Sequence, residues 1–450
     1  MTERAALILA AGQGTRMKSD LPKVLHPIGG RTMLDWSVDL ARKSGCERMI
    51  VVVSAGSDRL QAHVDDALGE GAFAIQDPPL GTGHAVQAAE DALRDFDGDL
   101  IVLYGDTPLI PDTAIKALFE EIEGGAQLGV LGFEAANPGA YGRLVTDRAG
   151  NLDAIVEAKE ASPEQLAITL CNSGVMAGNS KRMFELLSQV TNDNAKGEYY
   201  LTDIVAIARE GGGKCRVVTC SEADVQGVNS RMELANAEGA FQQARRQELL
   251  QSGVTMTAPE TVFFSYDTLV EPDVLIEPNV VFGPSVRVET GARIRAFSHL
   301  EGAVVKQNAE IGPYARLRPG ADIGVGAKIG NFVEVKKTSV GDGAKANHLA
   351  YLGDGDIGKG ANIGAGTIFC NYDGFLKYQT TIGEGAFIGS NSSLVAPVTI
   401  GAGALVGSGS VVTKDVGANS LAVARGRQIE KKNWADTFRE QKSREKASKS

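Results

Sequence analysis

The chain has 450 residues, 43% hydrophobic and 22% charged, with a formal net charge of −11 at pH 7. That length exceeds one ordinary core and predicts two or three domains, and the acidic balance excludes a general nucleic-acid binder, which carries a basic excess. The 5 cysteines form no CxxC pair or zinc spacing, and Glu3 beside Arg4 is unlike a secretory signal; with no apolar run near the ~20 residues that span a bilayer, a cytoplasmic protein with reduced thiols and no membrane partner is expected.

In chain order, a short apolar run (7–11) ends at Gly12-x-Gly14, with a helical pattern behind it. The segments "RMIVVVS" (48–54), "DLIVLYGD" (99–106) and "GVLGFEA" (129–135) read as buried strands, with 83–94 and 112–123 as helices between them. Such alternation predicts a doubly wound, Rossmann-like α/β domain over 1–229. Residues 230–250 contain many helix formers and no proline, which predicts a helical linker.

From residue 270 an aliphatic or aromatic residue recurs every six positions: Val270, Ile276, Phe282, Val288, Ile294 and Leu300. The register resumes over Ile311, Leu317, Ile323, Ile329 and Val335, and again over Ile382, Ile388, Leu394, Ile400, Val406 and Val412. Period six suits neither a helix nor a meandering sheet. It suits a parallel β-helix, each flat side of a coil sending one side chain inward, so 251–450 is expected to form such a domain with a polar, basic, mobile tail. The phase slips near 340–358, and "FCNYDGFLKYQT" (369–380) has no inward period. An insertion of that kind becomes an external loop on a rigid scaffold, where chemistry often sits.

The glycine turn near the N-terminus fits neither standard nucleotide loop. Met17 stands where the dinucleotide fingerprint needs its third glycine, Asp58 comes late for a ribose ligand, and no Gly-Lys-Ser/Thr follows. What remains is a turn whose backbone amides can wrap a triphosphate, with Arg16 and Lys23 behind it to offset charge. Taken singly, either cation could be a solvated surface charge. Asp106 ends a buried strand, the ligand-binding edge of an open α/β sheet, and offers a hard oxygen suited to magnesium; alone it would serve equally as a helix cap. In the second half, His348 in "ANHLAYLGD" has the proton affinity of a general base near neutral pH. Glu334 in "NFVEVKK" is expected to orient it, as a carboxylate does in a triad.

These residues carry a resemblance. "LAAGQGTRMKSDLPK" resembles the signature of sugar-1-phosphate nucleotidyltransferases. Further matches are "QDPPLGTGHA" (76–85), "LYGDTPL" (103–109), "YGRLV" (141–145), "IVEAKEA" (155–161), "CNSGVM" (171–176), "NAKGEYYLTD" (194–203) and "VQGVNS" (225–230). With the hexads, the chain is similar over nearly its whole length to the bacterial bifunctional N-acetylglucosamine-1-phosphate uridyltransferase/glucosamine-1-phosphate acetyltransferase family. The resemblance implies a left-handed coil, homotrimers, and UDP-N-acetylglucosamine made as a precursor of peptidoglycan and lipopolysaccharide.

For the first half it implies attack of a sugar phosphate on UTP, with Asn229 joining Asp106 as a magnesium ligand. Gln76, Gly81 and Thr82 would hold uracil with main-chain help from Leu9, Ala10, Ala11 and Gly12. Gly142, Glu157 and Asn172 would hold the N-acetylglucosamine moiety beside Tyr104, although Gly142 alone reads equally as a turn glycine. For the second half it places Arg318 and Lys336 on the phosphate of glucosamine-1-phosphate, and Tyr351 and Asn362 on its sugar. Acetyl-CoA would contact Ala365, Asn371, Tyr372, Ser390, Ser408 and Arg425; Ser408 departs from the alanine frequent in relatives. The competing expectation is a single-activity sugar-1-phosphate nucleotidyltransferase whose β-helix only regulates or oligomerises. His348, Lys336 and Asn371–Tyr372 weigh against it.

Overall fold

The computed structural model describes residues 2–194 and 196–449. Ala195, within the "NAKGEYYLTD" match, and Met1 and Ser450 at the termini lie outside the described residues. The chain divides into two compact units, Met1–Gln247 with Phe264–Tyr266 and Glu248–Phe263 with Asp267–Ser450.

In the first unit the described residues form a nine-stranded sheet. Its spine runs Cys215–Cys220, Leu128–Glu134, Leu170–Asn179, Asp99–Tyr104, Arg4–Leu9, Arg48–Ser54, Phe73–Gln76. Neighbours are parallel except Leu170–Asn179, which is antiparallel to both of its spine partners. The strands are apolar on both sides because both faces are covered. Ala5, Leu7 and Val52 join one buried cluster with Val86 and Ile204 from flanking helices; Ala6, Ile8 and Val51 join another with Val38, Leu60 and Ile115. Arg4–Leu9 lies between Arg48–Ser54 and Asp99–Tyr104. The chain therefore winds first to one side of the opening strand and then to the other, which leaves a crevice beyond the carboxyl ends of Leu9 and Tyr104.

Helix Asp112–Glu123 follows the sequence expectation, whereas 83–94 is broken into Thr82–Gln87 and a short turn, Asp91–Leu93. That stretch buries Val86, Ala89 and Leu93, and Gln87 Nε2 donates to the Leu187 carbonyl at 3.0 Å. The apolar stripe persists, but beyond Gln87 the backbone tightens to i→i+3 bonds, Ala89 N–H to Val86, Glu90 N–H to Gln87 and Leu93 N–H to Glu90. The helix after the sheet spans Arg231–Gln251.

The second unit is a parallel β-helix with three faces. Face one is a ten-stranded ladder from Thr255–Met256 to Leu421–Ala422. Faces two and three form one fourteen-stranded sheet, because Glu334–Val340 and Tyr351–Ile357 bend across the corner between them. Leu269 lies against Arg287, eighteen residues on, and Lys345 against Asn362, seventeen on. The phase slip in the sequence is this shortening of the coil. Asn362 lies against Phe387, the longer coil that holds the insertion, and Phe375 at its tip is 91% exposed.

The hexad residues from Ile276 to Val412 are at most 4% exposed, while Val270 is half-buried. Each such side chain contributes roughly 1.5–3 kcal/mol by leaving water. The polar tail is helical over Trp434–Ala447 with no buried residue. No helix among the described residues is long and apolar enough to cross a membrane.

Candidate active sites

The crevice of the α/β unit opens into a cleft of about 400 Å³. Leu9, Ala10, Ala11 and Gly12 line it from the first strand, Gln76, Gly81 and Thr82 from the edge, and Tyr104, Asp106, Glu157 and Lys23 complete the wall. Gly14 has φ +59°, and a Cβ there would lie 2.7 Å from Lys23 Cβ. The second loop glycine therefore admits the lysine stem close against the turn.

Lys23 Nζ contacts Asp106 Oδ2 and donates to Asn229 Oδ1 at 3.0 Å. Two hard oxygens, from residues 106 and 229, thus converge on one point. That donor set fits magnesium, which takes one or two protein oxygens and keeps phosphates and waters for the rest. Among the described residues no group of three or more His, Cys, Asp or Glu could hold a metal, so an ion here would draw its other ligands from substrate and solvent. Arg16 is exposed and outside the cleft wall; the structure does not bring it to Lys23.

The sugar-binding candidates form a second group. A Cβ on Gly142 would lie 3.6 Å from Glu157 Oε1 and 3.7 Å from Asn172 Cβ. Asn172 N–H donates to the Gly142 carbonyl at 2.9 Å, and its side-chain oxygen accepts from Gly174 N–H at 2.9 Å. Gly174 packs on the Tyr104 ring, which connects the group to Asp106. Burial pushes the Glu157 carboxyl above the usual carboxylate range, and Lys196 partly opposes the shift. The buried Tyr104 phenol is also raised, first by burial and then by Asp106 and Glu157. Gln76 Nε2 donates to the Gly81 carbonyl at 2.9 Å, so its side-chain oxygen is the atom that can accept from a ligand.

Lys196, Glu198 and Tyr200 also line the cleft, and the sequence reading gave none of them a role. Tyr199 explains their place. Its N–H donates to the Leu80 carbonyl and its carbonyl accepts from Gly83 N–H, both at 2.8 Å. Leu201 N–H donates to Thr82 Oγ1 at 3.1 Å. The sequence signal for them was the motif "NAKGEYYLTD" (194–203), since spacing does not pair residue 81 with residue 199.

In the β-helix the acetyl-CoA candidates Ala365, Ser390 and Ser408 fall on one corner, with Arg425 bonded to it, whereas Asn371 and Tyr372 lie with the insertion. Lys345 lies against Asn362, Asn362 against Phe387 and Phe387 against Leu405. Counting three residues on places His348, Ala365, Ser390 and Ser408 at one position in successive coils. Asn391 N–H donates to the Ala365 carbonyl at 2.7 Å, Gly409 N–H to the Ser390 carbonyl at 2.8 Å, and Arg425 Nη1 to the Ser408 carbonyl at 2.7 Å. The hydroxyl of Ser408 leaves that column intact.

Face two carries the sugar-phosphate candidates. Arg318 donates to Glu334 at 2.8 Å, which together with its charge raises the guanidinium further. The Lys377 ammonium beside Lys336 holds it below the usual lysine range, with Arg318 adding to the effect. Three crowded cations make a ready anion site. Lys377 comes from the insertion, which the sequence marked as an external loop without singling this residue out. Tyr351 and Asn371 meet over Gly353, and Asn371 Nδ2 donates to Asp354 at 2.5 Å. Tyr372, 59% exposed, donates to the Gly374 carbonyl at 2.5 Å. Asn362 stands apart on face one, between Lys345 and Phe387.

The expected pairing of Glu334 with His348 does not occur. Glu334 begins a face-two strand and accepts from Arg318, whereas His348 ends a face-one strand with Nδ1 2.5 Å from Asn331 Oδ1. The coil turns a corner between residues 331 and 334, and that corner separates the two.

Residues 6–165 match the MobA-like NTP transferase domain, and residues 379–414 match the bacterial transferase hexapeptide (six repeats). The chain is 62% identical over 445 residues to the bifunctional protein GlmU of Hyphomonas neptunium, covering 99% of this chain and 96% of that one. The bifunctional protein GlmU of Caulobacter vibrioides is 58% identical, with 98% and 96% covered. That of Maricaulis maris is 57% identical, with 99% and 98% covered. The chain belongs to the GlmU family.

Proposed function

We propose that the protein makes UDP-N-acetylglucosamine in two steps. The β-helix unit transfers acetyl from acetyl-CoA to glucosamine-1-phosphate, and the α/β unit then transfers uridyl from UTP to N-acetylglucosamine-1-phosphate. The observation that carries this reading is the meeting of Lys23, Asp106 and Asn229 where the sheet opens, in a chain of the GlmU family. A phosphate-handling centre of this kind needs little covalent chemistry from the protein; positioning and charge neutralisation carry the reaction.

In the uridyl step an oxygen of the sugar phosphate attacks the α-phosphorus of UTP, and the bond to the β-phosphate breaks to release pyrophosphate. Lys23 offsets charge on the triphosphate, and the amides of Leu9 to Gly12 and the Gln76 oxygen orient the nucleotide. Glu157, Asn172 and the Gly142 backbone hold the sugar. Magnesium, when bound by Asp106 and Asn229, would supply further charge neutralisation at the phosphates.

In the acetyl step the amine attacks the thioester carbonyl while His348 Nε2 takes its proton. Collapse of the oxyanion expels the thiolate, which recovers the proton from the imidazolium as CoA–SH. Acetyl-CoA lies along the corner of Ala365, Ser390 and Ser408, and Arg318 with Lys336 engages the sugar phosphate. Trimers belong to the same proposal, supported by the stacked, exposed rings of Phe297, Tyr314 and Phe332, with centroids 4.9 and 5.1 Å apart. A continuous apolar column of that kind favours covering.

A single-activity enzyme with a regulatory coil would have no use for the cation cluster or the column below His348. Supplying glucosamine-1-phosphate, acetyl-CoA, UTP and magnesium, then omitting each in turn, separates the readings. Omitting acetyl-CoA should stop pyrophosphate release when glucosamine-1-phosphate is the only sugar, and adding N-acetylglucosamine-1-phosphate should restore it. No CoA release under any combination would leave only the single-activity reading.

A further inference from the structure

His348 ends the strand Lys345–His348, and Asn331 ends the strand Lys328–Asn331 on the preceding coil, directly in register with it. The side-chain oxygen of Asn331 is 2.5 Å from His348 Nδ1. An amide oxygen only accepts, so the ring nitrogen facing it carries the hydrogen. A neutral imidazole has one N–H, and Nε2 is then left with its lone pair. Glu334 is engaged by Arg318 on the next face.

We propose that Asn331 is the positioning residue of the acetyl-transfer base: by accepting from Nδ1–H it fixes the His348 tautomer whose Nε2 takes the amine proton. This rests on the reading of His348 as that base. As the amine nitrogen bonds to the acetyl carbon, its proton passes to Nε2 and the thiolate leaves with the electron pair of the broken C–S bond. The proton then returns from Nε2 to sulfur. Nδ1–H stays on Asn331 throughout, so the ring can neither rotate nor exchange tautomers between turnovers.

A neutral orienter has a consequence that a carboxylate would not have. The charged groups sharing the groove with His348 are Arg295, Glu310 and Lys328, and Lys345 starts its own strand. Glu310 is already paired, accepting from Arg295 and Lys328 at 2.9 Å each. The next coil presents Asn362 and Ile363, neither of them titratable. None of these supplies the imidazolium with an uncommitted counter-charge, and an aspartate at residue 331 would be the first to do so.

The test uses the full-length protein, following CoA release against pH with pyrophosphate release from UTP and N-acetylglucosamine-1-phosphate as the check on folding. Asn331→Ala should lower kcat for acetyl transfer roughly tenfold or more, with KM for both substrates and pyrophosphate release kept. Asn331→Asp should keep the rate at alkaline pH while its acid limb moves up by about one unit, as expected for a carboxylate beside the ring. Glu334→Gln should change KM for the amino-sugar phosphate through Arg318 and leave the acid limb in place. Wild-type profiles in both Asn331 variants, or a displaced limb in Glu334→Gln alone, would overturn the assignment. Normal CoA release from His348→Ala would instead sink the reading of His348 as the base.

Discussion

His26 follows Lys23 by three residues and is 3% exposed. Arg231 Nη1 lies 3.3 Å from its Nδ1. A guanidinium only donates, so Nδ1 accepts and the ring is neutral, with Nε2 buried and unpartnered among the described residues. Burial first, and Arg231 second, hold His26 below its ordinary 6.5. Below about pH 6.5 the unfolded chain takes a proton that the folded chain refuses, so stability is full above that value and is lost as pH falls through it. The urea midpoint followed by Trp36 fluorescence should therefore fall between about pH 7.5 and about pH 5.5. His26→Gln should flatten that fall, and an unchanged slope would mean that another group carries it. The same guanidinium donates to the Met17 carbonyl at 3.2 Å, so Arg231 ties the glycine turn to the segment that ends in Asn229.

Among the elements, the turn at Gly81 shows how a wall of the cleft is held. Its φ is +106°, and a Cβ would stand 2.6 Å from the Tyr199 carbonyl oxygen, which is backbone and cannot swing away. Gly81→Ala should cost about 1–3 kcal/mol in stability and raise KM for UTP while acetyl transfer continues. A thermal melt with paired assays decides this, and an unshifted KM would show that the wall accommodates the methyl. Where each residue of a pattern is buried for one reason, the sequence was legible. The apolar runs within 48–54, 99–106 and 129–135 and the hexads from Ile276 to Val412 fill interiors, and their spacing is the geometry of a strand and of a coil. Corners are different. Phe332, at φ +55°, turns the chain between Asn331 on face one and Glu334 on face two. A period of six marks inward positions without showing which polar neighbour stays on the base's face, and the analogy with a triad pointed to a carboxylate without raising the amide. Lys196 to Tyr200 were missed for a related reason: backbone bonds through Tyr199, not a side-chain pattern, carry them to Gly81.

At the scale of the whole molecule, each unit builds its candidate site from its own residues. Lys23, Asp106 and Asn229 meet within the α/β unit, while His348, Ala365, Ser390 and Ser408 follow one corner of the β-helix. The β-helix reaction yields the N-acetylated sugar phosphate that the α/β reaction consumes, so the two activities are chemically ordered but separable by mutation. Lys23→Ala should reduce pyrophosphate release about 100- to 1,000-fold, the usual loss of one charge-stabilising donor, and spare CoA release; His348→Ala should do the reverse. The most direct measurement is UDP-N-acetylglucosamine formation from glucosamine-1-phosphate, acetyl-CoA, UTP and magnesium by each folded variant alone and by the two mixed. Two independent sites predict little product from either variant and restored synthesis from the mixture. Loss of both leaving groups in a single variant, or a mixture that stays inactive, would contradict that division of labour.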